Sequence, residues 1–176
     1  GSVASEKYVQ VLTAIFGSTV LSVAVFAHDV VPMPYSEMVK ASEIIGVGTV
    51  TRSVSRFDDG GKTIRTYVTV EQLSVQKGQV QNNSIVLRLE GGTIGEDRLV
   101  ISDMPSFKHG SRYLLYVAGN GTAISPIVGF HQGAFEIVER DGREVLMSLK
   151  GLELIGVEND RFVFAGKPEP KGRRDE

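Results

Sequence analysis

The chain has no cysteine and no tryptophan. The first absence excludes disulfides, thiolate nucleophiles, iron–sulfur clusters and cysteine-based zinc sites. Aromatic residues make up only 7% and prolines number 6 against 20 glycines, a balance that suits many tight turns more than a disordered chain. Charge of one sign is missing too. The formal net charge is −2, so no global field recruits nucleic acid or an anionic lipid surface, and nucleic acid is not an expected partner. The three histidines, His28, His109 and His131, are far apart and match no H-x-x-x-H spacing. There is no G-x-S-x-G elbow, although Ser102, Ser106 and Ser111 lie near His109. Gly91-Gly92-Thr93-Ile94-Gly95 lacks the Lys-Ser/Thr ending of a phosphate loop and reads as a flexible connection between strands.

What remains is ordinary globular material. A hydrophobic content of 41% with 23% charged residues supports a sizeable core, and 176 residues make one domain, or one domain with appendages. Tyr8 to Ala27 carries no charge and is most apolar near its end, in VLSVAVFA. Lys7 precedes it and Val25-Phe26-Ala27 places compact residues before His28, which is the plan of a secretory signal peptide over residues 1–27. Gln10, Thr13, Ser18, Thr19 and Ser22 dilute the run, so a single-pass anchor and a helix of the fold are the competing readings. Pro32-Met33-Pro34 marks residues 28–35 as an extended linker. Ser36 is placed to cap a short helix from Glu37 to about Ser42.

The centre of the chain is β-rich. Ile44 to Phe57 is apolar on both faces at first, and Gly46 and Gly48 sit two apart on one face, where a bulky neighbour can approach. Asp58-Asp59-Gly60-Gly61 is a turn; it lacks the alternating oxygens of a calcium loop. In the returning run, Lys62 to Val75, Ile64, Thr66, Val68 and Val70 share one face and Arg65, Tyr67 and Thr69 the other. After Gln72 the apolar positions shift to Leu73 and Val75, the phase slip of a β-bulge, which bends a strand toward barrel closure. Further strands are expected at Ser84–Glu90, Arg98–Ser102, Arg112–Ala118 and Ala134–Arg140. The Asp141-Gly142 turn then leads into Arg143–Leu149. One more apolar stretch covers 151–165, and the tail 167–176 is charged and proline-bearing, with the composition of a disordered segment.

The order of these segments resembles a group of uncharacterised exported bacterial β-domain proteins. The matching residues are Ser42, Ile44, Ile45, Gly48 and Val50, Tyr67 to Val70, Lys77-Gly78, Gly91-Gly92, Pro105 to Leu115 and the GFHQGAF segment, Gly129 to Phe135. More distantly the order is similar to the netrin-like module of tissue inhibitors of metalloproteinases, an OB-type barrel. Those inhibitors use disulfides and an amino-terminal cysteine, which this chain lacks. The strand density and the lack of long helices argue an all-β barrel or sandwich, and the resemblance implies that it is an OB-like (netrin-like) small barrel, with a short N-terminal helix, spanning residues 36–166.

Two surfaces are candidates for binding. Arg52, Arg56 and Arg65 cluster about the first hairpin with Tyr67, an arrangement that suits single strands or sugars, or else a solvated, charge-protected arm. His131 and Gln132 stand between glycines in the late loop. The expected function is a secreted or periplasmic, non-enzymatic binding module. Its partner is a protein or an envelope polymer, and it meets a membrane only through an uncleaved N-terminal segment. The reading assigns no catalytic residue, no metal and no cofactor. A metalloprotease-inhibitor-like module presenting the His28 amine is the alternative, followed by a hydrolase built from His109, His131 and loop carboxylates.

Overall fold

The computed structural model describes residues 22–24 and 31–166. Most of the N-terminal leader reading and the whole charged tail therefore lie outside the described residues. In chain order the elements are β1 (Ser22–Ala24), α1 (Tyr35–Ala41), β2 (Ile44–Asp58), β3 (Thr63–Lys77), β4 (Ile85–Glu90), β5 (Gly92–Ile94) and β6 (Asp97–Ile101). β7 (Arg112–Val117), β8 (Ala134–Arg140), β9 (Arg143–Ser148), β10 (Glu153–Glu158) and β11 (Arg161–Phe164) follow. Eight strands form one antiparallel sheet in the order β11-β10-β9-β8-β7-β2-β3-β4, and β1-β6-β5 form a second, small sheet. Among the described residues no helix is long and apolar enough to cross a membrane.

The first hairpin forms as its sequence dictates. Asp59, Gly60 and Gly61 all take positive φ (54°, 68° and 85°), the conformation for which Asp and Gly are chosen in turns. The bulge falls where the apolar phase slips. Val47 pairs with Ser74 and Thr49 with Glu71, so the single Gly48 faces both Gln72 and Leu73, and Gln72 is forced to φ 52°. Gly46 and Gly48 make the room this bend needs. A Cβ on Gly48 would stand 2.6 Å from Val70 Cγ1 and 2.9 Å from Leu73 Cδ1, and one on Gly46 would be 3.2 Å from the same Leu73 atom.

Two cores flank the sheet. On one face Val50, Val68, Val70, Leu73, Leu87, Leu89, Tyr113, Leu115 and Val117 are buried together, with Met104 and Phe107 packed over them. On the other face Ile45, Tyr116 and Phe135 are buried with Met38 of α1, against Phe162 and Phe164. β2 and β7 feed both cores, which is why their sequences are apolar on both faces. α1 ends where the Ser42 hydroxyl donates to the Met38 carbonyl at 2.6 Å. Its N-terminus is capped differently from the sequence expectation. Ser36 does not cap the helix, since the N-cap position is Pro34 without a side-chain cap. Instead, Asp160 in the β10–β11 turn accepts the Ser36 N–H at 2.8 Å and the Ser36 hydroxyl, a cap supplied from across the chain.

The expected barrel does not close. Among the described residues no strand pairs with β4 on the side away from β3. The β7–β8 loop occupies that edge. Asn120 Oδ1 accepts the Arg88 N–H at 2.9 Å, its Nδ2 donates to the Val86 carbonyl at 2.8 Å, and the Glu90 N–H donates to the Ile124 carbonyl at 3.1 Å. A side-chain amide and a loop carbonyl thus satisfy main-chain groups that a closing strand would otherwise take. One further expectation changes, and another is resolved more finely. Residues 91–95 are not a flexible connection: Gly92–Ile94 is β5, paired with Asp97–Leu99. Residues 151–165 are two strands, joined at Asn159-Asp160, both at positive φ (50° and 61°).

Candidate binding site

The basic arm of the first hairpin is neutralised from within. Arg65 is held by Glu90 at 2.6 Å and by Asp59 at 2.9 Å, and Arg88 approaches Glu90 at 3.7 Å. Arg56 stands over the Tyr67 ring, its guanidinium carbon 3.8 Å from the ring centre, and pairs with Asp58 at 3.3 Å. Tyr67 also donates its hydroxyl to Asp58. That hydrogen bond, helped by Arg56 and Arg65, lowers the Asp58 carboxyl below its ordinary value, while the bond to Glu90 raises Arg65 further above its own. Arg56, Arg65 and Arg88 are therefore matched by Asp58, Asp59 and Glu90 on one sheet face. Arg52 is exposed on β2, opposite Thr69. The structure brings Arg56, Arg65 and Tyr67 together as expected, in a self-balanced network with little charge left for an anion.

His131 and Gln132 stand just before β8, and the interactions they make are with segments other than that arm.

 Gln132 clips the lead-in to α1: its Oε1 accepts the Met33 N–H at 2.9 Å and its Nε2 donates to the Val31 carbonyl at 3.1 Å. His131 is half-buried near Asp103 and Lys150, which pair with each other at 3.0 Å. Its Nδ1 is buried without a hydrogen-bond partner among the described residues. Burial, then the Lys150 charge, pushes the imidazole below its ordinary value of 6.5, with Asp103 opposing. Of the two, Gln132 ties distant segments of the fold together. His109 is exposed in the turn before β7, and His28 lies outside the described residues. Among the described residues no group of three or more His, Asp or Glu is gathered so as to hold a metal.

A site that the sequence reading passed over lies where β4 runs into β5. Gly91 and Gly92 take φ 93° and 151°, and a Cβ on Gly92 would stand 2.5 Å from both the Ser55 and Thr66 hydroxyl oxygens. Only glycine lets the chain double back here so close to the inner face of the sheet. Thr66 donates to the Gly91 carbonyl at 2.7 Å, and its oxygen lies 2.9 Å from that of Ser55. The β5–β6 hairpin then arches over β2 and β3, and a cleft of about 280 Å³ lies between it and the inner face of the sheet. Hydroxyls of Ser53, Thr66, Thr93 and Ser106 line it, together with the apolar side chains of Val68, Leu89 and Phe107. Glu90 on the wall is already paired with Arg65, and Arg98 of β6 supplies a cation. Polar and apolar groups in nearly equal measure suit an amphipathic ligand segment, and the volume is at the small end of ligand clefts. The sequence carried one signal of this cleft: Thr66 interrupts the otherwise aliphatic inner face of Ile64, Val68 and Val70. Compared with known proteins, the chain matches no family model, no curated protein and no solved structure.

Proposed function

We propose that this chain is a non-enzymatic binding module on an OB-like frame, exported from the cytoplasm, and that it holds a segment of a protein or an envelope polymer. The observation that carries the reading is the cleft of about 280 Å³ under the β5–β6 hairpin, with its hydroxyls set among apolar walls. The OB-like assignment draws on strand order. β4-β3-β2-β7-β8 is the sequence of neighbours in a five-stranded OB barrel opened between its third and fifth strands, and the β7–β8 loop lies along the open edge. The netrin-like affinity rests on the motifs around Lys77-Gly78 and Tyr113 to Leu115, and export rests on the apolar run that ends at Ala27.

Affinity capture from an envelope fraction tests the binding role. Ser53 and Ser106 are exposed residues of the cleft wall, so Ser53→Trp/Ser106→Trp fills the cleft without entering either core. The variant is expected to lose a component that the unmodified chain and an Arg52→Gln/Arg56→Gln variant both retain. Equal capture by all three would remove the cleft from the account. Amino-terminal sequencing of the protein from its native host tests export separately, with His28 expected as the first residue.

A further inference from the structure

The small sheet is completed by a strand from far away in the chain. The β5–β6 hairpin pairs only Gly92–Ile94 with Asp97–Leu99, too short a ribbon to be stable alone. Its other edge is filled by Ser22–Ala24, which runs parallel to β6 with Ser22 opposite Leu99, Val23 opposite Val100 and Ala24 opposite Ile101. Leu99, Val100 and Ile101 also line the cleft. One strand edge therefore meets both an added main chain and the candidate binding site.

We propose that the β6 edge is a strand-accepting site for an extended, uncharged, apolar peptide segment of a partner protein, and that Ser22–Ala24 is its built-in occupant. This deepens the binding reading given above and rests on it. Main-chain hydrogen bonds along Leu99–Ile101 hold the added strand, and its alternate side chains face the cleft side of the sheet and select the sequence. The occupant belongs to the apolar run read as a leader. On that reading, cleavage after Ala27 removes β1 and opens the edge where the protein works.

The test uses the full chain. Val23→Pro/Ala24→Pro removes two successive main-chain donors from β1, one of which points at β6 whichever way the strand faces. Two readouts are taken: amide hydrogen exchange at Leu99–Ile101, and binding of a fluorescent peptide of residues 19–27, TVLSVAVFA. The variant is expected to exchange these amides about tenfold faster than the unmodified chain and to bind the peptide about tenfold more tightly, because the competing internal strand is gone. Added peptide restores protection, and a peptide with proline at the two matching positions does not bind. Unchanged protection at Leu99–Ile101, or no peptide binding by a variant with an unaltered circular dichroism spectrum, overturns the proposal. If the peptide fails while Ser53→Trp/Ser106→Trp still abolishes envelope capture, the strand-accepting edge is refuted and the cleft stands.

Discussion

At the scale of single residues, the fold turns on a few positions with no spare room. Gly48 is one, because it faces two residues across the bulge and its missing side chain is the space that Val70 and Leu73 fill. Gly48→Ala forces one of those buried side chains out of place and is expected to lower stability by about 1–3 kcal/mol, measured by urea unfolding. The pair of glycines and the phase slip after Gln72 were legible in the sequence, since both are written in local spacing. His131 was legible only as a residue in a glycine-flanked loop. Its burial beside Lys150 disfavours the protonated form in the folded chain, whereas an unfolded histidine takes a proton near pH 6.5. Unfolding therefore gains a proton as pH falls through that value. Stability is full above it and is lost as pH drops toward the depressed folded value, at no more than about 1.4 kcal/mol per pH unit for one proton. Subtracting the unfolding free energies of His131→Asn from those of the unmodified chain between pH 7.5 and 5 isolates this slope. A difference independent of pH would contradict it.

At the scale of elements, what could be read depended on whether the stabilising partner is near in sequence. Ala134–Arg140 and the Asp141-Gly142 turn were readable residue for residue, because alternation and a two-residue turn are local signals. β5 was not, since Gly-Thr-Ile is short and glycine-led, and becomes a strand only through β6. The break between β10 and β11 was hidden because Asn159-Asp160 carries no glycine, although both residues adopt the same positive φ. The cap of α1 is the sharpest case. Ser36 has the right chemistry and the right place, yet it acts as donor to Asp160, 124 residues away. Asp160→Ala should free the helix N-terminus while leaving in place the main-chain bond from Tyr35 N–H to the Asp160 carbonyl. The expected loss is about 1 kcal/mol of stability with faster amide exchange in α1, and Asp160→Asn should recover part of it. An unchanged unfolding midpoint would remove Asp160 from the cap.

At the scale of the whole molecule, long-range pairing decided what local patterns do not carry. Barrel closure depends on whether β4 finds a fifth strand, and no local pattern encodes that a loop asparagine will take the position instead. The charge of the first hairpin likewise depends on Glu90, which reaches Arg65 from a neighbouring strand. A basic arm in the sequence is thereby a charge-paired network in the fold, and the site proposed for binding is the cleft on the inner face. The cleft itself needs both sheets: its floor is β2, β3 and β4, its roof the β5–β6 hairpin, and the glycine pair Gly91-Gly92 lets the hairpin approach that floor. The most direct measurement is an amide-resolved NMR titration of the isotope-labelled full chain with a solubilised envelope extract. The account predicts shifts concentrated at Ser53, Thr66, Gly92, Leu99 to Ile101 and Ser106. Shifts gathered instead at Arg52, Arg56, Tyr67 and Val86, on the outer face, would contradict it.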